Sequence, residues 1–210
     1  MIIQATAPTR ISLFGGGCDY PNYYKKHKSY IISFAINLYQ KVTLYTENDV
    51  FGLARNEFLM QDDPSFFYNV FEYFNMNSGH FIRVKHEFDG VSKSGLGSSG
   101  ALTVALVAAL MRTKTKQPSR MELALSAHKL ESRVNKTGIQ DHLASSFGGS
   151  KLYTLSSDGI EVKDIDISQI LPSILLFNTH ISKNLLIKKS PSKDDFKNIQ
   201  VAANIAQHNL

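Results

Sequence analysis

The stretch that most restricts this chain is Ser94-Gly95-Leu96-Gly97-Ser98-Ser99-Gly100 together with the apolar run it feeds, Ala101 to Met111. That run is much shorter than the ~20 residues needed to cross a bilayer, so it reads as a helix buried in a core. A chain of 210 residues with 43% hydrophobic positions can enclose such a helix in one domain, with room for a fragment of a second. Glycines let a backbone approach a ligand closely, and the N–H groups of Ser98, Ser99 and Gly100, at the positive end of the helix, can point at phosphate oxygens. An ordinary serine-capped helix after a flexible turn fits the same residues, and the loop alone does not separate the two readings.

Gly95, Gly97 and Gly100 also spell G-x-G-x-x-G, the dinucleotide-binding fingerprint, which requires a strand after the helix ending in an acidic residue about 20 positions further on. Here Arg112 to Pro118 leads into Ser119-Arg120-Met121-Glu122, a capping-box pattern that opens a second helix over about 120–134. Helix follows helix where that fold needs a strand, which argues against a dinucleotide-binding oxidoreductase. The loop G-x-x-x-x-G-K-[ST] fails because no lysine follows the glycines.

Elsewhere the pattern predicts extended segments over 2–7 and 10–14 around Pro8, a turn at Gly15-Gly16-Gly17, strands over 30–38 and 41–46, and an alternating strand over 80–88. Phe67, Phe71 and Phe74 stand at helical spacing within 65–76. A short helix over 139–147 stops at Gly148-Gly149, and 151–155 with 160–164 make a hairpin. A strand over 174–179 and a closing helix over 194–208 complete an α+β chain.

The formal charge of +5 is concentrated late, at Lys183, Lys188, Lys189, Lys193 and Lys197, interrupted by Asp194 and Asp195. A solvated face accounts for it better than a nucleic-acid surface, because no zinc-ligand spacing, RNP-like aromatic motif or basic zipper accompanies it. The single cysteine, Cys18, cannot form an intramolecular disulfide, and Met1-Ile2-Ile3-Gln4 does not begin a secretion signal. The expected compartment is the cytoplasm, with neither membrane nor nucleic acid as partner.

Three segments decide the loop's meaning: Arg10-Ile11-Ser12-Leu13-Phe14-Gly15-Gly16-Gly17-Cys18-Asp19, Gly95-Leu96-Gly97-Ser98-Ser99, and Gly138-Ile139-Gln140-Asp141-His142. In order and rough spacing they resemble the motifs of the GHMP kinases. Within that superfamily the chain is most similar to sugar-phosphate kinases of the D-glycero-D-manno-heptose 7-phosphate kinase type, whose first motif reads like R-I-S-x-x-G-G-G-T-D. The run Gly138 to Gly149 is similar to their G-x-Q-D-Q-Y-A-A-x-x-G-G, and Leu175 to Lys183 to their L-x-F-x-T-G-x-S-R.

The resemblance implies the α+β fold of a GHMP kinase N-terminal domain, ribosomal protein S5 domain 2-like, over 1–168. The beginning of a ferredoxin-like C-terminal domain would follow over 169–210. It implies ATP with its phosphates on Gly95, Leu96, Gly97, Ser98, Ser99 and Gly100, and Mg2+ at Ser99 and Glu131. It makes Asp141 the catalytic carboxylate that accepts or orients the acceptor hydroxyl's proton, with Arg10 stabilising Asp141 or the transferring phosphoryl group. Gly16, Gly17, Asp19 and Gln140 would hold a small sugar-phosphate substrate, and Lys183 its phosphate. Without the resemblance these residues have plainer readings: Asp141 as a first-turn helix acid, Asp19 as a turn residue, Glu131 as a solvated helix charge and His128 as a half-buried structural histidine.

The chain departs from the family pattern in several places. The glycine-rich third motif is absent, so only the first strand and helix of a second domain are expected, with apolar faces lacking the rest of their sheet. A homodimer formed through that unfinished domain is one consequence. Cys18 stands where threonine is usual, Ser92-Lys93-Ser94 replaces a proline-containing approach, and Ser132 to Thr137 is short. Gly100 replaces a small residue that has a side chain, loosening the helix start by roughly 0.5–1 kcal/mol. Two functions follow: ATP- and magnesium-dependent phosphorylation of a sugar phosphate such as a heptose 7-phosphate, or a truncated, catalytically silent nucleotide- or sugar-binding remnant.

Overall fold

The computed structural model describes residues 1–47, 58–59, 69–70, 72–74, 81–91, 94–114, 117–179 and 193–208. Strand β1 (Ile2–Phe14) runs antiparallel to β2 (Ser29–Glu47), the two joined by a glycine turn and the single-turn helix α1 (Pro21–Tyr24). Pro8 lacks an N–H, and the register shifts just after it, between Pro8 and Arg10. There the Thr9 hydroxyl donates to the Leu38 carbonyl at 3.0 Å. At this shift β1 moves from Pro8 to Arg10 while β2 moves from Tyr39 to Ala35, so the extra residues lie on β2. The two segments expected at 30–38 and 41–46 nonetheless form one continuous β2.

One half of β2 pairs antiparallel with β4 (Phe81–Phe88), Gln40 opposite Phe88, and the other half with β5 (Ser150–Ser156), Phe34 opposite Ser150. The short β3 (Phe58–Leu59) lies parallel to β4, and β6 (Gly159–Asp164) closes the expected hairpin with β5. The order is β3-β4-β2-β5-β6, with β1 along β2.

Helix α2 (Ser98–Thr113) is the centre of the core. Its Val104, Leu106, Val107 and Leu110 are buried in one cluster with Val42, Leu44 and Val84 of the sheet. Each such side chain contributes about 1.5–3 kcal/mol on burial. Helix α3 (Arg120–Glu131) carries the anticipated capping box, Ser119 Oγ accepting from Glu122 N (3.2 Å) and Glu122 accepting from Ser119 N (2.9 Å). It ends at Glu131, before the expected 134. Helix α4 (Gln140–Phe147) packs Ile139 and Leu143 against Ile31, Tyr153 and Leu155 in a second cluster. Residues 69–70 and 72–73 are helical, Phe74 N–H reaching Val70 O at 3.2 Å, while Phe67 and Phe71 lie outside the described residues.

The strand expected over 174–179 is not formed. After a short 3-10 turn (Leu171–Ser173) residues 174–179 have no regular secondary structure, with Leu175 75% and Phe177 76% exposed and Leu176 bordering the same cleft as Asp19 and Asp141. A β-favouring composition makes a strand only where a ladder forms. Helix α5 (Lys193–His208) instead docks on the start of the sheet. Phe196 stacks on Tyr23 at 5.0 Å, Gln200 accepts from Tyr30 N–H at 3.2 Å, and Ala203 is buried, while Val201 and Ile205 face solvent. No helix among the described residues is long and apolar enough to cross a membrane.

Candidate active site

Helix α2 begins earlier than its apolar run, and its N-cap is Gly97 in the left-handed region (φ 73°) with no side-chain cap. The serine-capped alternative is thereby overturned: the first N–H groups of α2 have no capping side chain at Gly97. Gln40 Nε2 holds the Ser98 carbonyl at 3.1 Å, and His86 Nε2 in turn meets Gln40 Oε1 at 2.5 Å, fixing the helix start to β2 and β4.

The loop is tied to β1 through Arg10. Its N–H donates to Leu96 O at 3.0 Å and its Nη1 to Gly95 O at 2.9 Å. Nη2 lies 2.5 Å from Asp141 Oδ1 at the head of α4. Nε is buried without a partner. Asp141 is enclosed by the loop's glycines: a Cβ at Gly97 would lie 3.1 Å from Asp141 Cγ, and one at Gly100 only 2.6 Å from Asp141 Cβ. Gly100 is therefore a steric requirement of the α2–α4 approach, which its reading as a mere loosening of the helix start did not anticipate.

Facing this pair, Asp19 is 6% exposed. Its Oδ1 accepts from Gly17 N–H (3.1 Å) and its Oδ2 from Gln140 N–H (2.9 Å). Gly138 is what admits the carboxylate, since a Cβ there would lie 1.9 Å from Asp19 Oδ2. Burial pushes the Asp19 carboxyl up, partly offset by those two N–H donors. Gln140 Nε2 donates to Ser12 Oγ at 2.6 Å, linking α4 back to β1. Cys18 points the other way: it is fully buried, its thiol 3.9 Å from the Phe196 carbonyl of α5, so the threonine-to-cysteine departure lies on the α5 side.

Arg10, Gly16, Gly17, Asp19, Gly95, Leu96, Gln140 and Asp141 thus border one cleft of about 440 Å³. Gly97 and Gly100 lie behind it against Asp141. Ser99 is exposed at the start of α2 and Glu131 is buried, neither bordering that cleft, and Lys183 lies outside the described residues. Glu131 is 4% exposed, and its Oε2 meets His142 Nε2 at 2.7 Å. Burial raises the Glu131 carboxyl, but His142, Ser99 and Thr103 together outweigh it and hold it below its usual range. His142 was missed from the sequence. The available signal was its place beside Asp141, which on a helix turns it about 100° away toward whatever α3 offers. His128, read as half-buried and structural, takes that place: its Nε2 lies 3.2 Å from the Thr137 carbonyl.

The sequence profile of the GHMP kinases N terminal domain matches residues 65–149. That part of the chain is thus similar to a GHMP kinase N-terminal domain. The D-glycero-alpha-D-manno-heptose 7-phosphate kinase of Campylobacter jejuni is 25% identical over 207 residues, covering 86% of this chain and 60% of that protein. A D-glycero-D-manno-heptose 1-phosphate kinase from Bacteroides thetaiotaomicron superposes with a TM-score of 0.68 at 22% identity, over 80% of this chain and 61% of that one. The galactokinase of Lactococcus lactis gives 0.60 at 16% identity, over 79% and 48%. At such identities the structural likeness speaks for the fold. The chain spans 60% of the length of its curated relative.

GHMP kinases are ATP-dependent and generally use Mg2+. Magnesium takes one or two carboxylates, substrate phosphates and water. The Ser99 hydroxyl at the start of α2 and the Glu131 carboxylate, which also meets Thr103 Oγ1 at 3.4 Å, are oxygen donors of the kind that ion takes. Among the described residues no group of three or more His, Cys, Asp or Glu could form a closed metal cage.

Proposed function

We propose that this chain is the ATP-binding portion of a sugar-phosphate kinase that transfers a phosphoryl group from ATP to a hydroxyl of a heptose phosphate. One observation carries the reading: Asp141, paired with Arg10 and walled by Gly97 and Gly100 of the phosphate loop, opens into the same cleft as Asp19 and Gln140. The names of the curated and structural relatives support the heptose phosphate. The same reading assigns 1–168 to the nucleotide domain and 169–210 to the beginning of a second.

ATP phosphates lie against the glycine loop, where the uncapped N–H groups of α2 and the leftover Arg10 Nε–H are the donors. Asp19, already accepting two backbone N–H groups, uses its remaining lone pairs to orient sugar hydroxyls. Asp141 takes the acceptor hydroxyl's proton as that oxygen bonds to the γ-phosphorus and the bond to the β–γ bridging oxygen breaks, leaving ADP. Arg10 offsets the negative charge on both sides of that event. Ser99 and Glu131 would hold Mg2+, which would supply charge neutralisation to the phosphates.

The test is ADP release from Mg-ATP with D-glycero-D-manno-heptose 7-phosphate, for the wild type and Asp141→Ala. Turnover that survives Asp141→Ala overturns the role of Asp141. Binding of Mg-ATP by calorimetry with no turnover favours the binding-only remnant instead.

A further inference from the structure

Among the described residues, the catalytic cleft has no cation to spare for a phosphate that belongs to the sugar. Arg10, the cation among its lining residues, is committed to Asp141 and to the Gly95 carbonyl, while Asp19 and Asp141 both present carboxylates. A phosphate monoester carries nearly two negative charges at neutral pH and is repelled from such a place.

A second cleft of about 260 Å³ continues from the first, sharing Tyr20 and Thr137 with it. Among the described residues its lining has no carboxylate and contains Lys136, with Asn22 and Asn135 as neutral polar neighbours. Lys136 is exposed at the end of the turn between α3 and α4. It precedes by two residues Gly138, whose backbone lies against the Asp19 carboxylate. Two residues span at most about 7 Å, so Lys136 is held within one sugar's length of the hydroxyl-binding carboxylate.

We infer that Lys136, with Asn22 and Asn135, forms the subsite for the phosphate the sugar already bears, the monoester at the end remote from the acceptor hydroxyl. The inference rests on the kinase reading above and deepens it. It separates the two phosphates of the reaction: the one being transferred lies on the glycine loop, and the one carried by the sugar lies across Tyr20. The short turn from Ser132 to Thr137 then sets which sugar lengths fit, because it fixes how far Lys136 stands from Asp19.

The experiment is calorimetric titration, at fixed ionic strength, of heptose 7-phosphate and the unphosphorylated heptose into the wild type, Lys136→Gln, Lys136→Arg and Lys183→Gln. Lys136→Gln weakens the phosphorylated sugar about tenfold or more and leaves the unphosphorylated one within about twofold, while Lys136→Arg keeps most of the affinity. Equal loss for both sugars, no loss, or the selective loss appearing in Lys183→Gln overturns the subsite. If the wild type binds neither sugar, the kinase reading itself fails and the subsite with it. Wild-type binding of heptose 7-phosphate with Lys136→Gln unchanged removes the subsite alone.

Discussion

Asp141 and His142 are neighbours on α4, yet each joins a pair of a different kind. Asp141 meets Arg10 at the cleft, with side chains 22% and 12% exposed. His142 meets Glu131 on the far side, with side chains 0% and 5% exposed. The first pair borders the cleft; the second is buried between α3 and α4. The same helix thus carries one partly exposed pair and one buried pair, and its rotation sets both at once. Buried pairs contribute little net stability over a well-packed apolar replacement, but removing one partner is costly.

The comparison breaks if the two pairs fail to give opposite signatures. Asp141→Asn is expected to lower turnover about 10²- to 10⁴-fold while shifting the urea midpoint little, because the side chain stays isosteric at the cleft's edge. Glu131→Ala is expected to cost about 3–5 kcal/mol in urea denaturation, by stranding buried His142. Replacing both Glu131 and His142 with leucine should recover a large part of that loss. Gly100→Ala lies between the two regions: its Cβ meets Asp141 at 2.6 Å, so α4 must shift. We expect about 1–3 kcal/mol of destabilisation together with reduced turnover, read by denaturation and ADP assay on one preparation.

The smallest expected effect sharpens the contrast between two buried carboxylates. Glu131 is held low by His142, so its contribution is present above the ordinary glutamate value and is lost as pH falls through the folded one. Asp19 has no cation and is raised by burial, so its contribution is present below the ordinary value of 3.8 and is lost as pH rises through its folded value. Asp19→Asn should therefore gain on the wild type as pH climbs from 3.8 through the acid range. A difference between the two urea midpoints that does not change with pH would contradict this.

Local signals were the legible ones. Ser119 and Glu122 announce α3 because a capping box is written in adjacent residues, and the β5–β6 hairpin is equally local. The motif residues around Arg10, Gly95 and Asp141 could be assigned to one site, because the family resemblance carries their long-range arrangement. What stayed hidden depends on distant neighbours. Gly100 looked like a weakness until the Asp141 side chain was seen against it. His142 gave no sign of a partner on α3, and residues 174–179 have the composition of a strand but do not form one.

The long strand β2 has a kinetic consequence. Its β1 partner is close in sequence, but β5 must return to it across more than a hundred residues, and Gln140 reaches Ser12, 128 positions away. Non-local pairings form slowly because the intervening loop must close before they repay its entropy. The β1–β2 ribbon is therefore expected to recover early after dilution from denaturant, and nucleotide binding last. Stopped-flow refolding with a fluorescent ATP analogue would show that lag, making the cleft a reporter of the final closure of the chain.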